Sequence, residues 1–287
     1  MRLLNDPDYL QAQYDNRARV PDHARVFDNW AEASALARAQ SPCVLDLAYA
    51  DSPGATLDVF PAPAAARPAP VLVFIHGGYW RSLDKSQHSF VVPSFTADGA
   101  MVVVPNYALC PAVDIEQIVL QMTQALAWTW QHAAQYGGDP GRIAVVGHSA
   151  GGHLATMLLS CRWKDIDAAL PAAPLAGVLS ISGLYDLDPL PRVPPLQADL
   201  RLTPQSVRRL SPAFFPRPKA GKLYAAVGAD ESEEFLRQNR LIRDVWGPTA
   251  VPVCEPVPGK NHFTVLESLA DPRGRLHELA LRLLGLR

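Results

Sequence analysis

Ser149 stands in Gly147-His148-Ser149-Ala150-Gly151, a G-x-S-x-G pattern. A serine hydroxyl so placed can attack an acyl carbon. Chance alone supplies about 0.1 such matches in a chain of this size, and a tight βα turn with a capping serine would read the same way. The flanks give the pattern its meaning. The apolar run Ile143–Val146 precedes it and a helical pattern, His153–Leu159, follows. That is the strand–turn–helix setting of a strained nucleophile turn. Such a turn needs small neighbours, which Gly147, Ala150, Gly151 and Gly152 supply.

A second motif should serve the same chemistry. The run Val71–Ile75 ends in His76-Gly77-Gly78-Tyr79-Trp80. Glycines just past a strand let backbone N–H groups approach a ligand closely. The amides of Gly78, Tyr79 and Ala150 are therefore expected to form an oxyanion hole, each donor contributing about 3 kcal/mol to a transition state. His76 is expected to hydrogen-bond within its own loop.

The serine needs a base, and the base needs an orienting acid. In this arrangement the chain order is Ser, Asp/Glu, His. Of eight histidines, His23, His88, His132 and His277 fall on the N-terminal segment or on helical patterns and are expected at the surface. His76, His148 and His153 come too early. His262 remains, in a loop after the strand pattern Val251–Val257. For the acid, the run after Leu223–Val227 offers Asp230 and Glu231. Counting three positions from Gly228 favours Glu231; residue type favours Asp230, which stays the alternative. Glu233 and Glu234 suit the first turn of a helix. Tyr79, Trp80 and Tyr185 adjoin the motifs. The aromatic faces of all three are expected to stack an aryl leaving group, with Trp80 and Tyr185 as the substrate-binding residues and ordinary packing as the other reading.

These residues must be held by a sheet. Short apolar runs at Val44–Ala48, Leu57–Phe60, Val71–Ile75, Met101–Val104, Ile143–Val146, Gly177–Ile181 and Leu223–Val227 alternate from 71 onward with helical patterns. The clearest helix is 114–136, stopped by Gly137-Gly138-Asp139-Pro140, and a last one spans 273–286. Apolar strands alternating with helices predict an α/β class with a mostly parallel sheet covered on both faces. Residues 1–40 look helical. Residues 61–70 read as a linker or hairpin return. Residues 186–216 are too long for a simple connection and hold proline-rich loops and a short helix opened by Thr203-Pro204. Both 1–40 and 186–216 are expected to act as lid elements on a single domain spanning 1–287.

Composition excludes several classes. The chain has 287 residues, 48 % apolar, with a formal net charge of −2. That balance gives no electrostatic footprint for nucleic acid or an anionic membrane. No apolar run approaches the roughly 18 residues of a membrane span. No signal-like apolar stretch opens the chain, so a cytoplasmic enzyme is expected. Cys43, Cys110, Cys161 and Cys254 form no CxxC pair. They are expected to be mostly buried thiols, with no zinc site.

Taken together, His76–Trp80, the run from Gly147 through Leu154, Ser182–Leu190, the acidic run ending Phe235-Leu236-Arg237-Gln238, and Asn261-His262-Phe263 resemble the kynurenine formamidase (arylformamidase) and esterase-like family of α/β-hydrolases. The likeness spans about 70–270. It implies an α/β-hydrolase fold with a small cap, and hydrolysis of N-formyl-kynurenine to kynurenine and formate with no metal or other cofactor. It carries Ser149 over as nucleophile and His262 as base. Aligned on Phe235 and Gln238, the family's aspartate falls on Glu231, a departure in residue type. Many bacterial relatives are known only as esterases, so a general carboxylesterase is the alternative. A non-catalytic binding protein on the same scaffold, or acyl transfer to another acceptor, would be further departures. The partner expected is a small-molecule substrate, not nucleic acid or membrane, with a homodimer open to it.

Overall fold

The computed structural model describes residues 3–63 and 67–287. Its frame is one eight-stranded sheet: β1 (Val44–Ala48), β2 (Thr56–Phe60), β3 (Ala69–Ile75), β4 (Met101–Pro105), β5 (Gly138–His148), β6 (Leu175–Ile181), β7 (Leu223–Gly228) and β8 (Val253–Val257). The order across the sheet is β1-β2-β4-β3-β5-β6-β7-β8. The β1–β2 and β2–β4 pairings are antiparallel, so β2 alone runs against the rest; the other pairings are parallel. Of the linker expected at 61–70, residues 64–66 lie outside the described residues, and its end already belongs to β3.

The helices are α1 (Pro7–Tyr14), α2 (Asn16–Arg19), α3 (His23–Gln40), α4 (Val92–Ala97), α5 (Ile115–His132), α6 (Ala150–Leu159), α7 (Trp163–Ile166), α8 (Pro194–Leu200), α9 (Pro204–Leu210), α10 (Glu233–Ala250), α11 (Glu267–Ala270) and α12 (Arg275–Leu284). Residues 1 and 2 of the expected N-terminal helical segment lie outside the described residues.

Strand side chains alternate between the two faces. Val71, Val73 and Ile75 of β3 enter one core, with α1, α5, α6, α8, α9 and α10. Leu72 and Phe74 enter the other, with α3, α4, α11 and α12. Burial on both faces explains why the central strands read as continuous apolar runs. Among the described residues no helix is long and apolar enough to cross a membrane.

Local chemistry sets the boundaries. Helix α5 starts where the Asp114 side chain accepts the Gln117 N–H. It gives way to a 3₁₀ turn at Ala133–Tyr136, and Gly137 ends that turn in the left-handed region (φ 80°). Strand β5 begins at once, earlier than its apolar run suggested. Within 186–216, expected to hold proline-rich loops and one short helix, the structure has a second helix, α8, opened by prolines. Pro194 and Pro195 occupy its first positions, where a missing N–H costs nothing and the fixed φ suits a helix. Helix α9 has a capping box between Thr203 and Ser206.

Two expectations about burial are corrected. His88 and His277 are fully buried. Imidazole is amphipathic, and each ring finds both a polar partner and an aromatic neighbour. His277 pairs with Asp98 at 2.7 Å and stacks on Phe95. His88 lies against the Asp84 carbonyl at 3.0 Å and stacks on His76. His23 and His132 are half-buried. All four cysteines are free, but only Cys110 is buried; Cys43, Cys161 and Cys254 are half-buried.

Candidate active site

The carboxyl ends of the central parallel strands converge on one spot, as ligand sites in open α/β sheets do. Strand β5 delivers Ser149, held at φ 57° and ψ −118° between β5 and α6. Such a conformation is costly for a residue with a Cβ and persists only where the surroundings fix it. Here the Ser149 amide donates to the Ile181 carbonyl at 2.8 Å. Gly147 and Gly151 must approach each other across the turn. A Cβ on Gly147 would meet the Gly151 carbonyl oxygen at 2.0 Å.

His262 comes from the loop after β8. Its Nε2 lies 3.0 Å from Ser149 Oγ and its Nδ1 lies 2.6 Å from Glu231 Oε2. All three side chains are buried. The natural proton arrangement has Nδ1–H donating to the carboxylate and the serine hydroxyl donating to Nε2. The other oxygen of Glu231 accepts two further bonds, from Ser182 Oγ at 2.5 Å and from the Gly228 amide at 2.7 Å. A turn closed by Glu231 N–H donating to the Gly228 carbonyl folds residue 231 back over the strand end. Asp230, one residue earlier, faces solvent, with its amide tied to the Lys260 carbonyl. The structure thus brings Glu231, and not Asp230, to the imidazole. His148 adds a brace, its Nε2 donating to the His262 carbonyl at 2.7 Å.

The loop after β3 faces Ser149 from the other side. Gly78 (φ 106°) and Tyr79 (φ 50°) both sit in the left-handed region. A Cβ on Gly78 would lie 2.0 Å from the Ser82 carbonyl oxygen. Among the described residues the amides of Gly78 and Tyr79 donate no hydrogen bond, and the amide of Ala150 opens α6, where it has no intrahelical partner. These are three donors free for an acyl oxygen. The loop is braced from below. His76 Nδ1 contacts the Gly77 carbonyl at 2.8 Å and its Nε2 contacts Asn106 Oδ1 at 3.0 Å. Tyr107 Oη donates to both the His76 and Gly77 carbonyls.

Ser149 and His262 open on a cavity of about 310 Å³, the lower end of small-ligand pockets. Phe27, Trp30 and Phe263 form an aromatic wall, with Phe27 edge-on to Phe263 at 5.0 Å. Gln11, Asn16 and Arg17 of the N-terminal helices and Leu196 and Asp199 of α8 also line it. Tyr79 lines it too, its hydroxyl donating to the Tyr14 carbonyl at 2.8 Å.

Trp80 and Tyr185 are corrected. Both are fully buried and neither lines this cavity. The left-handed backbone at Trp80 (φ 56°) turns the indole into the core, where it packs edge-on against His153 at 5.0 Å. Tyr185 Oη donates to Ser180 Oγ at 2.8 Å. Neighbourhood in sequence gave no information on which way these rings turn. Ser182 escaped the sequence reading, although it follows β6 as Ser149 follows β5, also with positive φ (53°). The aromatic wall escaped it as well, because Phe27 and Trp30 reach the site only through tertiary packing.

Four histidines around the site are held neutral by burial. Desolvation lowers the pKa of His76 and carries His148 well below the usual range. It takes His88 down to about 3 and His153 to about 4. In the unfolded chain each titrates near 6.5. Between that value and the folded one, the unfolded state binds more protons, so stability is full above about pH 6.5 and falls as pH drops. Each such histidine adds a slope approaching about 1.4 kcal/mol per pH unit. The urea midpoint should therefore fall clearly between pH 7.5 and 5.5; an unchanged midpoint would contradict the neutral buried rings.

Comparisons with known proteins agree with the architecture. The BD-FAE family model matches residues 57–189. A kynurenine formamidase from Danio rerio is 29 % identical over 97 % of this chain and 96 % of its own length. A crystal structure of a candidate thioesterase from Silicibacter sp. is 31 % identical and superposes with a TM-score of 0.82, covering 94 % of this chain and 98 % of that one. An esterase from Pyrobaculum calidifontis, 18 % identical with a TM-score of 0.69 over 98 % of this chain and 97 % of that one, shares the fold.

Proposed function

We propose that this hydrolase, of the α/β-hydrolase superfamily and its kynurenine formamidase and esterase-like family, is a serine enzyme cleaving an aryl formamide of the N-formyl-kynurenine type or a short-chain carboxylic ester. The observation that carries the reading is the buried chain of contacts from Glu231 through His262 to Ser149, opposite three free backbone amides.

His262 Nε2 takes the Ser149 proton as Oγ attacks the acyl carbon. The developing oxyanion is held by the amides of Gly78, Tyr79 and Ala150. Glu231 fixes the tautomer and stabilises the imidazolium. His262 then returns the proton to the leaving nitrogen or oxygen. An arylamine leaves poorly unless protonated, so a formamide depends on that step more than an aryl ester does. Water, deprotonated by the same imidazole, releases the acyl group. The aromatic wall suits an aryl leaving group, and the modest cavity suits a short acyl chain. Residues 1–40 and 186–216, which both supply lining residues, act as the lid. On this reading the reaction belongs to tryptophan breakdown, and the four free thiols suit a reducing cytoplasm.

The test is kcat/KM for N-formyl-kynurenine beside p-nitrophenyl acetate. A formamide value of about 10⁴ M⁻¹s⁻¹ or more is expected. Ester cleavage in that range with a negligible formamide rate would make the protein a carboxylesterase and discard the formamide reading.

A further inference from the structure

The N-terminal helices bring to the cavity polar groups that the hydrolytic steps do not use. Asn16 is only 5 % exposed and lines the cavity beside His262, yet its Nδ2 has no hydrogen-bond partner among the described residues. Gln11 lines the same cavity, and its buried Oε1 is also without a partner. A buried donor or acceptor left unpaired costs about 1–3 kcal/mol, so such groups in a cavity wall point to a ligand that completes them.

The charges repeat this pairing of opposites. Arg81 and Asp199 satisfy each other at 2.6 Å. Arg17 has no ion-pair partner among the described residues; its guanidinium sits 5.7 Å from the Phe27 ring, at the edge of the aromatic wall. The Asp15 carboxylate also lines the cavity and meets no cation, only the Ala18 amide at 3.0 Å and Gln11 Nε2 at 3.4 Å. One wall thus offers an unpaired cation with an unpaired donor, and an unpaired anion with an unpaired acceptor.

Resting on the hydrolase reading above, we propose that Gln11, Asp15, Asn16 and Arg17 form a subsite for a zwitterionic, α-amino-acid-like end of the leaving group. Arg17 and Asn16 Nδ2 donate to its carboxylate; Asp15 and Gln11 Oε1 accept from its ammonium. The aryl ring between this end and the scissile bond lies on the Phe27–Phe263 wall. A substrate with a neutral end would leave Asn16 and Gln11 unsatisfied, which is how polar sites reject analogues.

The experiment uses inhibition of p-nitrophenyl acetate hydrolysis by two arylamines. Kynurenine carries the zwitterionic end; 2-aminoacetophenone lacks it. In the wild type the inhibition constant for kynurenine should be lower by about tenfold or more, the effect of roughly one charge-assisted contact. Arg17→Met and Asn16→Ala should each cut that preference about three- to tenfold, and Arg17→Lys should retain most of it. Arg17 is exposed, so its variants carry the test even if Asn16→Ala unfolds. Equal inhibition by the two amines in the wild type, or a preference untouched by both Arg17→Met and Asn16→Ala, would overturn the subsite. Because the reporter is an ester, a protein that shows the kynurenine preference but does not cleave N-formyl-kynurenine would sustain the subsite and discard the formamide reading. Formamide cleavage without the preference would do the reverse.

Discussion

Replacing Ser149 with alanine is expected to lower kcat/KM by about 10⁴- to 10⁶-fold, for ester and formamide alike. No neighbouring hydroxyl can take over. Ser82 lines the cavity, but its Oγ donates to the Gly78 carbonyl at 3.0 Å. Ser182 is buried and donates to Glu231. Neither hydroxyl meets an imidazole. The loss should appear without unfolding. Alanine keeps the Cβ, so the strain of a side chain at φ 57° is neither added nor relieved, and the Ser149 amide keeps its bond to Ile181. Parallel assays of rate and urea midpoint check both halves. Loss of activity together with folding would make the turn structural rather than chemical.

The second large effect separates two adjacent carboxylates. Glu231→Gln should lower kcat by about 10³- to 10⁴-fold, while Asp230→Asn stays within about twofold of the wild type. The reason is a constraint on the amide. The oxygen that accepts from Ser182 and Gly228 must remain an acceptor, so the new NH₂ takes the position facing His262 Nδ1. A donor there forces the imidazole into the tautomer with the proton on Nε2. That nitrogen then cannot accept the Ser149 proton. Asp230 is exposed and touches neither ring nor serine, so its charge is largely screened by water. Steady-state kinetics on the two variants decides it; equal losses, or a larger one at Asp230, would contradict the geometry.

The contrast between those two residues also marks what the amino-acid sequence could reveal. Ser149, His262 and the Gly78–Tyr79 loop were legible because their spacing around strand ends is imposed by backbone geometry. Glu231 was legible only as one of a pair. What separates it from Asp230 is a turn of one residue's reach, closed by a carbonyl of Gly228 and pinned by Lys260 from a distant loop. The sheet was legible because burial on both faces leaves apolar runs; β5 extended further than its run because Gly138 pairs with Ala69 whatever its polarity.

Side-chain direction was not legible. Trp80 and Tyr185 adjoin the motifs yet turn into the core, while Phe27 and Trp30, more than a hundred residues before the serine, form the wall of its cavity. His88 and His277 are buried by contacts with partners far along the chain or around a tight turn. The orphaned Asn16 and Gln11 exist as a feature only once α1 and α2 are laid over the strand ends. Tyr14 ties these helices down, its hydroxyl donating to Glu234 of α10 at 2.9 Å.

The central claim is that Ser149 is an activated nucleophile. Its most direct test is treatment with a fluorophosphonate, followed by peptide mass mapping and assay of residual activity. One adduct per chain, on Ser149, with activity lost in proportion to labelling and no adduct in Ser149→Ala, is the predicted result. An adduct elsewhere, or hydrolysis persisting after Ser149 is fully labelled, would contradict it.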